Sequence, residues 1–193
     1  MQHIIDFVLE LDKLKAVTRK IKPFGLNRYE NPAEHTWQIA LFAMALQPYA
    51  AAPVNIDHVI TMLLVHDVGE IDTGDTIAFA IDGAAERNAG ERAAVRRIFG
   101  ALDAPIGARL LALWEEFDDE QTPEALFAHS VDRAMPVLLN LANNGQSWRE
   151  NSISYERVMQ RVGPQISAGC PALWSHIAAR LDDAQRAGWF GMQ

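Results

Sequence analysis

Cysteine is nearly absent from this 193-residue chain: Cys170 stands alone, so no intrachain disulfide can form and no cysteine-rich zinc site can be built. Phosphate loops of the GxxxxGK or GxGxxG type are missing, as is the glycine–serine–glycine elbow of serine hydrolases. Cys170, between Gly169 and Pro171, has no neighbouring base to activate it as a nucleophile. No apolar run approaches the ~20 residues of a membrane helix. The first segment, MQHIIDFVLELDKLKAV, carries Asp6, Glu10 and Asp12 within its apolar pattern, unlike a targeting signal. The expectation from these absences is a cytoplasmic chain, off the membrane. Basic residues are also scarce, 17 Lys and Arg against 25 Asp and Glu, and a surface of net charge −8 repels nucleic acid. A phosphate ligand would therefore need a local cation, from a metal or clustered arginines.

What is present is helical. The composition is 49% hydrophobic, enough for a core, and the length suits one domain covering 1–193. Apolar residues recur at helical spacing, as in Ile4, Ile5, Val8, Leu9 and Leu11, while alternating strand patterns are missing. The expected fold is all-α, a single-domain helical bundle. Asn31, Pro32 and Glu34 form a helix-start signature, so a helix should run from there to about Gln47, before Pro48. Asn55 should cap a third helix that closes at Gly69. EIDTGDT, 70–76, reads as a loop. Further helices are expected near 82–100, 105–118, 123–143, 151–167 and 171–187.

Chemistry concentrates at the end of the third helix, where the apolar run MLLV leads into His66 and Asp67, with Glu70 beyond. A carboxylate and an imidazole beside a buried helix are costly unless a cation compensates them. Taken singly, such a pair is most simply a solvated helix end, but two other residues bear on it. His35 lies in the first turn of the preceding helix, which antiparallel packing would bring beside the end of the third. Asp132 sits among Phe127, Ala128, Val131 and Met135, so it should be paired or metal-bound. Pro136, four residues on, denies the Asp132 carbonyl its helical hydrogen bond. Two imidazoles and two carboxylates leave open positions on a six-coordinate ion, which suits Mn, Co, Fe, Ni or Mg better than a closed zinc site. An ion with free positions favours hydrolysis.

His35, the His66–Asp67 doublet and Asp132, in that order, resemble the HD-domain metal phosphohydrolases. ENPAEHTW, MLLVHDVGEIDTGDT, LWEEFDDEQTPEA and VDRAMPVLLN, across about 10–175, are similar to the small helical HD hydrolases related to bacterial 5'-deoxynucleotidases. The resemblance implies one divalent metal ion, its identity among Mn, Co, Fe, Ni, Mg and Zn open, on His35, His66, Asp67 and Asp132. It implies that Glu70 and Asp75 orient and deprotonate the attacking water and assist the leaving nucleoside oxygen. It also implies a phosphate grip by arginine, with Arg19 and Arg28 the candidates. The family pattern has a Trp after that arginine where Lys20 stands here, so deoxyribose preference is not implied.

The expected function is hydrolysis of a phosphomonoester, a (deoxy)nucleoside 5'-monophosphate, through a metal-activated water, by a homodimer with a small-molecule substrate. A regulatory HD domain that binds metal or nucleotide without turnover is the alternative. A di-iron oxygenase is disfavoured, because only His129 lies between the doublet and Asp132. His129 is expected to serve packing, the five tryptophans to anchor core or interface, and EEFDDE at 115–120 to be a solvated helix end.

Overall fold

The computed structural model describes residues 1–76, 79 and 83–191. Its spine is α7, Pro123–Ala142, started by the Thr122 side chain accepting from the Ala125 amide and carried past Pro136 without a break. A helix apolar on nearly every side must be surrounded, and α7 is: thirteen of its residues are buried, Asp132 and His129 among them. Around it pack α2 (Pro32–Leu46), α3 (Ile56–Val65), α6 (Ala104–Asp119), α8 (Gln146–Glu150), α9 (Tyr155–Gly169) and α10 (Pro171–Arg186). The remaining helices are α1 (Gln2–Asp12), α4 (Glu70–Thr73) and α5 (Ala84–Phe99), with 3-10 turns at Lys13–Ala16 and Gln47–Tyr49. No strand occurs among the described residues, so the all-α expectation holds.

Helix starts follow the local chemistry. Asn31 and Glu34 form a reciprocal capping box at the head of α2, with Pro32 in the first turn. The Asn55 side chain accepts from the His58 amide at the head of α3. The expected helices at 105–118, 123–143 and 171–187 lie within a residue or so of α6, α7 and α10, and the 82–100 helix begins at Ala84, residue 82 lying outside the described residues.

Three details differ. The segment read as a loop from Glu70 to Thr76 begins with a helical turn, α4, closed by the Gly74 amide on the Glu70 carbonyl. Gly69 is not a left-handed cap, since its φ is −59°; it is small because a Cβ there would stand 3.1 Å from the Glu91 Cβ on α5. The helix expected at 151–167 is α9, which starts later, at Tyr155, and the short helix α8 that precedes it is not among those expected. α8 owes its start to Asn140 of α7, whose Oδ1 accepts from the Ser147 and Trp148 amides.

Between α1 and α2 the chain doubles back. The Arg19 amide donates to the Glu30 carbonyl and the Glu30 amide to the Ile21 carbonyl, both at 2.9 Å. This pairing fixes Arg19 and Glu30 side by side, next to the first turn of α2.

Candidate functional site

Antiparallel packing of α2 on α3 brings the first turn of one to the end of the other, and the His35 and His66 rings lie 5.8 Å apart. Asp132 reaches them from α7: its Oδ1 is 3.0 Å from His35 Nε2 and 3.7 Å from His66 Nε2. Asp67 adds an oxygen 2.9 Å from His66 Nε2. His35, His66 and Asp132 are buried, and each offers a ligand atom within 4.8 Å of the others.

The hydrogen bonds of the rings say what belongs between them. His66 Nδ1 is 2.7 Å from the Leu63 carbonyl, which can only accept, so Nδ1 carries a proton and Nε2 is the nitrogen turned on Asp67 and Asp132. His35 Nε2 lies 3.0 Å from Asp132 Oδ1, within hydrogen-bond distance, and its Nδ1 faces Glu30 Oε2 at 3.5 Å. Imidazole nitrogens and carboxylate oxygens crowded at these separations must share protons or a metal cation. Ligands about 2.1 Å from an ion at right angles to each other are ~3 Å apart, close to the separations of 2.9, 3.0 and 3.7 Å found here. The donor set therefore fits a divalent metal.

The titration behaviour reports the same demand. Burial would lower the His66 pKa, but the Asp67 and Asp132 carboxylates overturn it and raise it to about 10. Burial and the Arg19 charge push His35 down to about 4, which keeps its imidazole neutral. Asp67 is held near 2, against its burial, by His66 and Arg19.

The surrounding cavity, about 260 Å³, is also lined by Arg19, Glu70 and Asp75. Glu70, at the start of α4, is buried, and burial followed by the Asp67 charge pushes its carboxyl up to about 10. Asp75 is raised by burial in spite of Arg19. Arg19 does reach the site, but among carboxylates: Nη1 is 2.8 Å from Asp67 Oδ2 and 3.9 Å from Asp75 Oδ1, and Nε is 3.2 Å from Glu30 Oε2. Arg28 does not join them. It is exposed, its fork closed on the Glu34 carboxylate at the head of α2, with Nη2 2.7 Å from Oε2.

Several side chains at the site escaped the sequence. Glu30, 2% exposed, holds His35 on one side and Arg19 on the other. In RYENP it reads as one more solvated acid, because its burial comes from the paired segment 19–21. Glu91 of α5 lines the cavity opposite Gly69. Trp114 donates its indole N–H to the His66 carbonyl at 3.0 Å, bracing the turn that carries the doublet. His129 donates to the Phe117 carbonyl and stacks on the Phe117 ring, the packing role expected of it, though it also lines the cavity. The EEFDDE run does more than solvate a helix end: Glu115 and Asp118 grip Arg92, and Asp118 and Glu120 face the cavity.

An all-helical fold that closes two histidines and an aspartate from three helices into one buried, ion-sized group defines a class of helical metal-centre proteins. Within that class an HD domain model matches residues 11–174, and the chain belongs to the HD-domain family of metal-dependent phosphohydrolases. It is 36% identical to a predicted metal-dependent phosphohydrolase from Magnetospirillum magnetotacticum MS-1, whose crystal structure superposes with a TM-score of 0.92 over 99% of this chain and 98% of that one. It is 26% identical, over 72% of its length, to the 5'-deoxynucleotidase HDDC2 of Danio rerio and, over 71%, to that of Homo sapiens. The matched region spans about two thirds of those relatives, 68% and 66% of their lengths. The PH0347 protein of Pyrococcus horikoshii OT3, 17% identical with a TM-score of 0.62 over 94% of this chain and 98% of that one, shares the fold.

Proposed function

We propose that the chain hydrolyses a (deoxy)nucleoside 5'-monophosphate, using one divalent ion held by His35, His66, Asp67 and Asp132. The observation that carries this reading is the convergence of imidazole nitrogens and carboxylates on one buried point, with Glu70 and Asp75 lining the same cavity. A divalent ion bound there supplies a Lewis acid for a phosphoryl oxygen and lowers the pKa of a water ligand.

The chain's own groups do the rest. Asp67 bridges the ligand set and Arg19, so the guanidinium holds that carboxylate in place. Glu70, raised by burial and by Asp67, has the proton affinity of a base able to take a proton from water, and a cation beside it draws its pKa back toward neutrality. Asp75, also raised, stands on the other side of Arg19 and can return a proton to the departing nucleoside oxygen. Arg19 is assigned to substrate as well as to these acids. The 5'-deoxynucleotidase relatives support the nucleotide as substrate class, and the cavity volume suits a small molecule rather than a polymer.

The whole chain is taken as one HD domain acting in the cytoplasm as a homodimer, without nucleic acid or membrane partners. Support for the dimer comes from Trp37, Leu41 and Met44, an exposed stripe on α2 at helical spacing, beside exposed Leu64 on α3. No helix among the described residues is long and apolar enough to cross a membrane.

The test is phosphate release from a panel of ribo- and deoxyribonucleoside 5'-monophosphates, run with added Mn, Co, Ni, Mg or Zn beside metal analysis. Turnover of one nucleotide class that vanishes on chelation is expected. Tight nucleotide or metal binding without turnover would mean a regulatory domain instead.

A further inference from the structure

A phosphomonoester enters as a near-dianion at neutral pH, yet the cavity walls are rich in carboxylates, with Asp67, Glu70, Asp75, Glu91 and Asp132 all facing it. One ion leaves that balance unfavourable for a second negative group. Arg19 is the obvious counter-charge, but its fork is already engaged by Glu30, Asp67 and Asp75. Lys20 also lines the cavity and is exposed. The remaining lining cation is Arg133.

Arg133 follows Asp132 on α7. Successive helical residues diverge by about 100°, so one turn of α7 can turn Asp132 to the histidines and Arg133 along the cavity wall. Its side chain is 29% exposed, and its one ion pair among the described residues is a loose one, Nε to Asp132 Oδ2 at 3.6 Å. Nε is buried with no hydrogen-bond partner. None of the side-chain hydrogen bonds found among the described residues occupies its Nη atoms. A guanidinium with unused parallel donors beside a metal position is suited to a tetrahedral oxyanion, because the fork matches two of its oxygens.

We propose that Arg133 is the phosphate-binding residue of the site, gripping the phosphoryl oxygens in bidentate fashion next to the ion position. The proposal rests on reading the site as a phosphomonoesterase. It gives to Arg133 the phosphate grip expected of Arg19 and Arg28, since Arg19 is engaged by carboxylates and the Arg28 fork is closed on Glu34 at the surface. Arg19 then acts mainly on the acids, and Arg133 on the anion.

The test compares wild type with Arg133→Ala and Arg133→Lys in the metal-loaded protein, reading KM and kcat for a nucleoside 5'-monophosphate, calorimetric affinity for inorganic phosphate, and metal content. Arg133→Ala should keep its metal and raise both KM and the phosphate Kd by about 10- to 100-fold, the size of charge-assisted hydrogen bonds lost from a desolvated site. Arg133→Lys should recover part of both, since it restores the charge without the fork, and serves in its own right if the alanine variant does not fold. Unchanged KM and phosphate Kd in Arg133→Ala would overturn the proposal. So would metal loss from that variant with no further effect on phosphate once metal is saturating, which would make Arg133 only a partner of Asp132. Absence of turnover by wild type would defeat the hydrolase reading, while the phosphate-affinity comparison would still decide the role of Arg133.

Discussion

Asp67 and Glu70 are three residues apart and both face the cavity, yet their proposed tasks are separable. Asp67 stands 2.9 Å from His66 Nε2, so Asp67→Ala should lose the metal. Glu70 belongs to none of the close ligand contacts, and Glu70→Gln should keep its metal and lose about 10²- to 10⁴-fold in kcat, the usual worth of a general base. Metal analysis beside steady-state rates separates the two, and a Glu70→Gln protein stripped of metal would put Glu70 among the ligands. Which single residues are legible in the sequence depends on how their burial arises. Asp132 is marked as a candidate by its own helix, since Phe127, Ala128, Val131 and Met135 surround it within one apolar pattern. Glu30 and Glu91 are not, because segments distant in the chain pack over them. Arg28 is the converse case, a basic residue in a suggestive stretch that finds Glu34 six residues away.

At the scale of elements, the proposed ligands are only as well placed as the ends of the helices that carry them. His35 sits in the first turn of α2, which the Asn31–Glu34 capping box fixes. Asn31→Ala should cost about 1 kcal/mol of stability and weaken metal affinity together, because the turn that frays is the one bearing the ligand. Chemical denaturation and a metal-competition titration would check this, and a stability loss with unaltered metal affinity would uncouple the cap from the site. Starts of this kind are readable because a cap and its proline lie within a few residues of each other. The turn after His66–Asp67 is less so: Gly69 is required by the approach of Glu91 on α5, and a helix closed by a distant partner cannot be seen locally. α8 is hidden for the same reason, its first amides being capped by Asn140 of α7.

For the whole molecule, α7 buries the core and α2 presents its apolar stripe outward, a division of labour that predicts an assembly. Trp37→Glu combined with Leu41→Glu should convert a dimer to a monomer in light scattering, with the metal retained because His35 lies inward on the same helix. A wild-type chain that is monomeric at high concentration would remove that interface. Everything else depends on one buried point where α2, α3 and α7 meet. The most direct measurement is stepwise reconstitution of chelator-treated protein with a single divalent metal, following bound ion and phosphate release together in wild type and in His35→Ala. Activity rising in proportion to occupancy and saturating at one ion per chain, with no high-affinity ion in His35→Ala, is the predicted result. Full phosphate release from metal-free protein, or undiminished ion binding without His35, would contradict it.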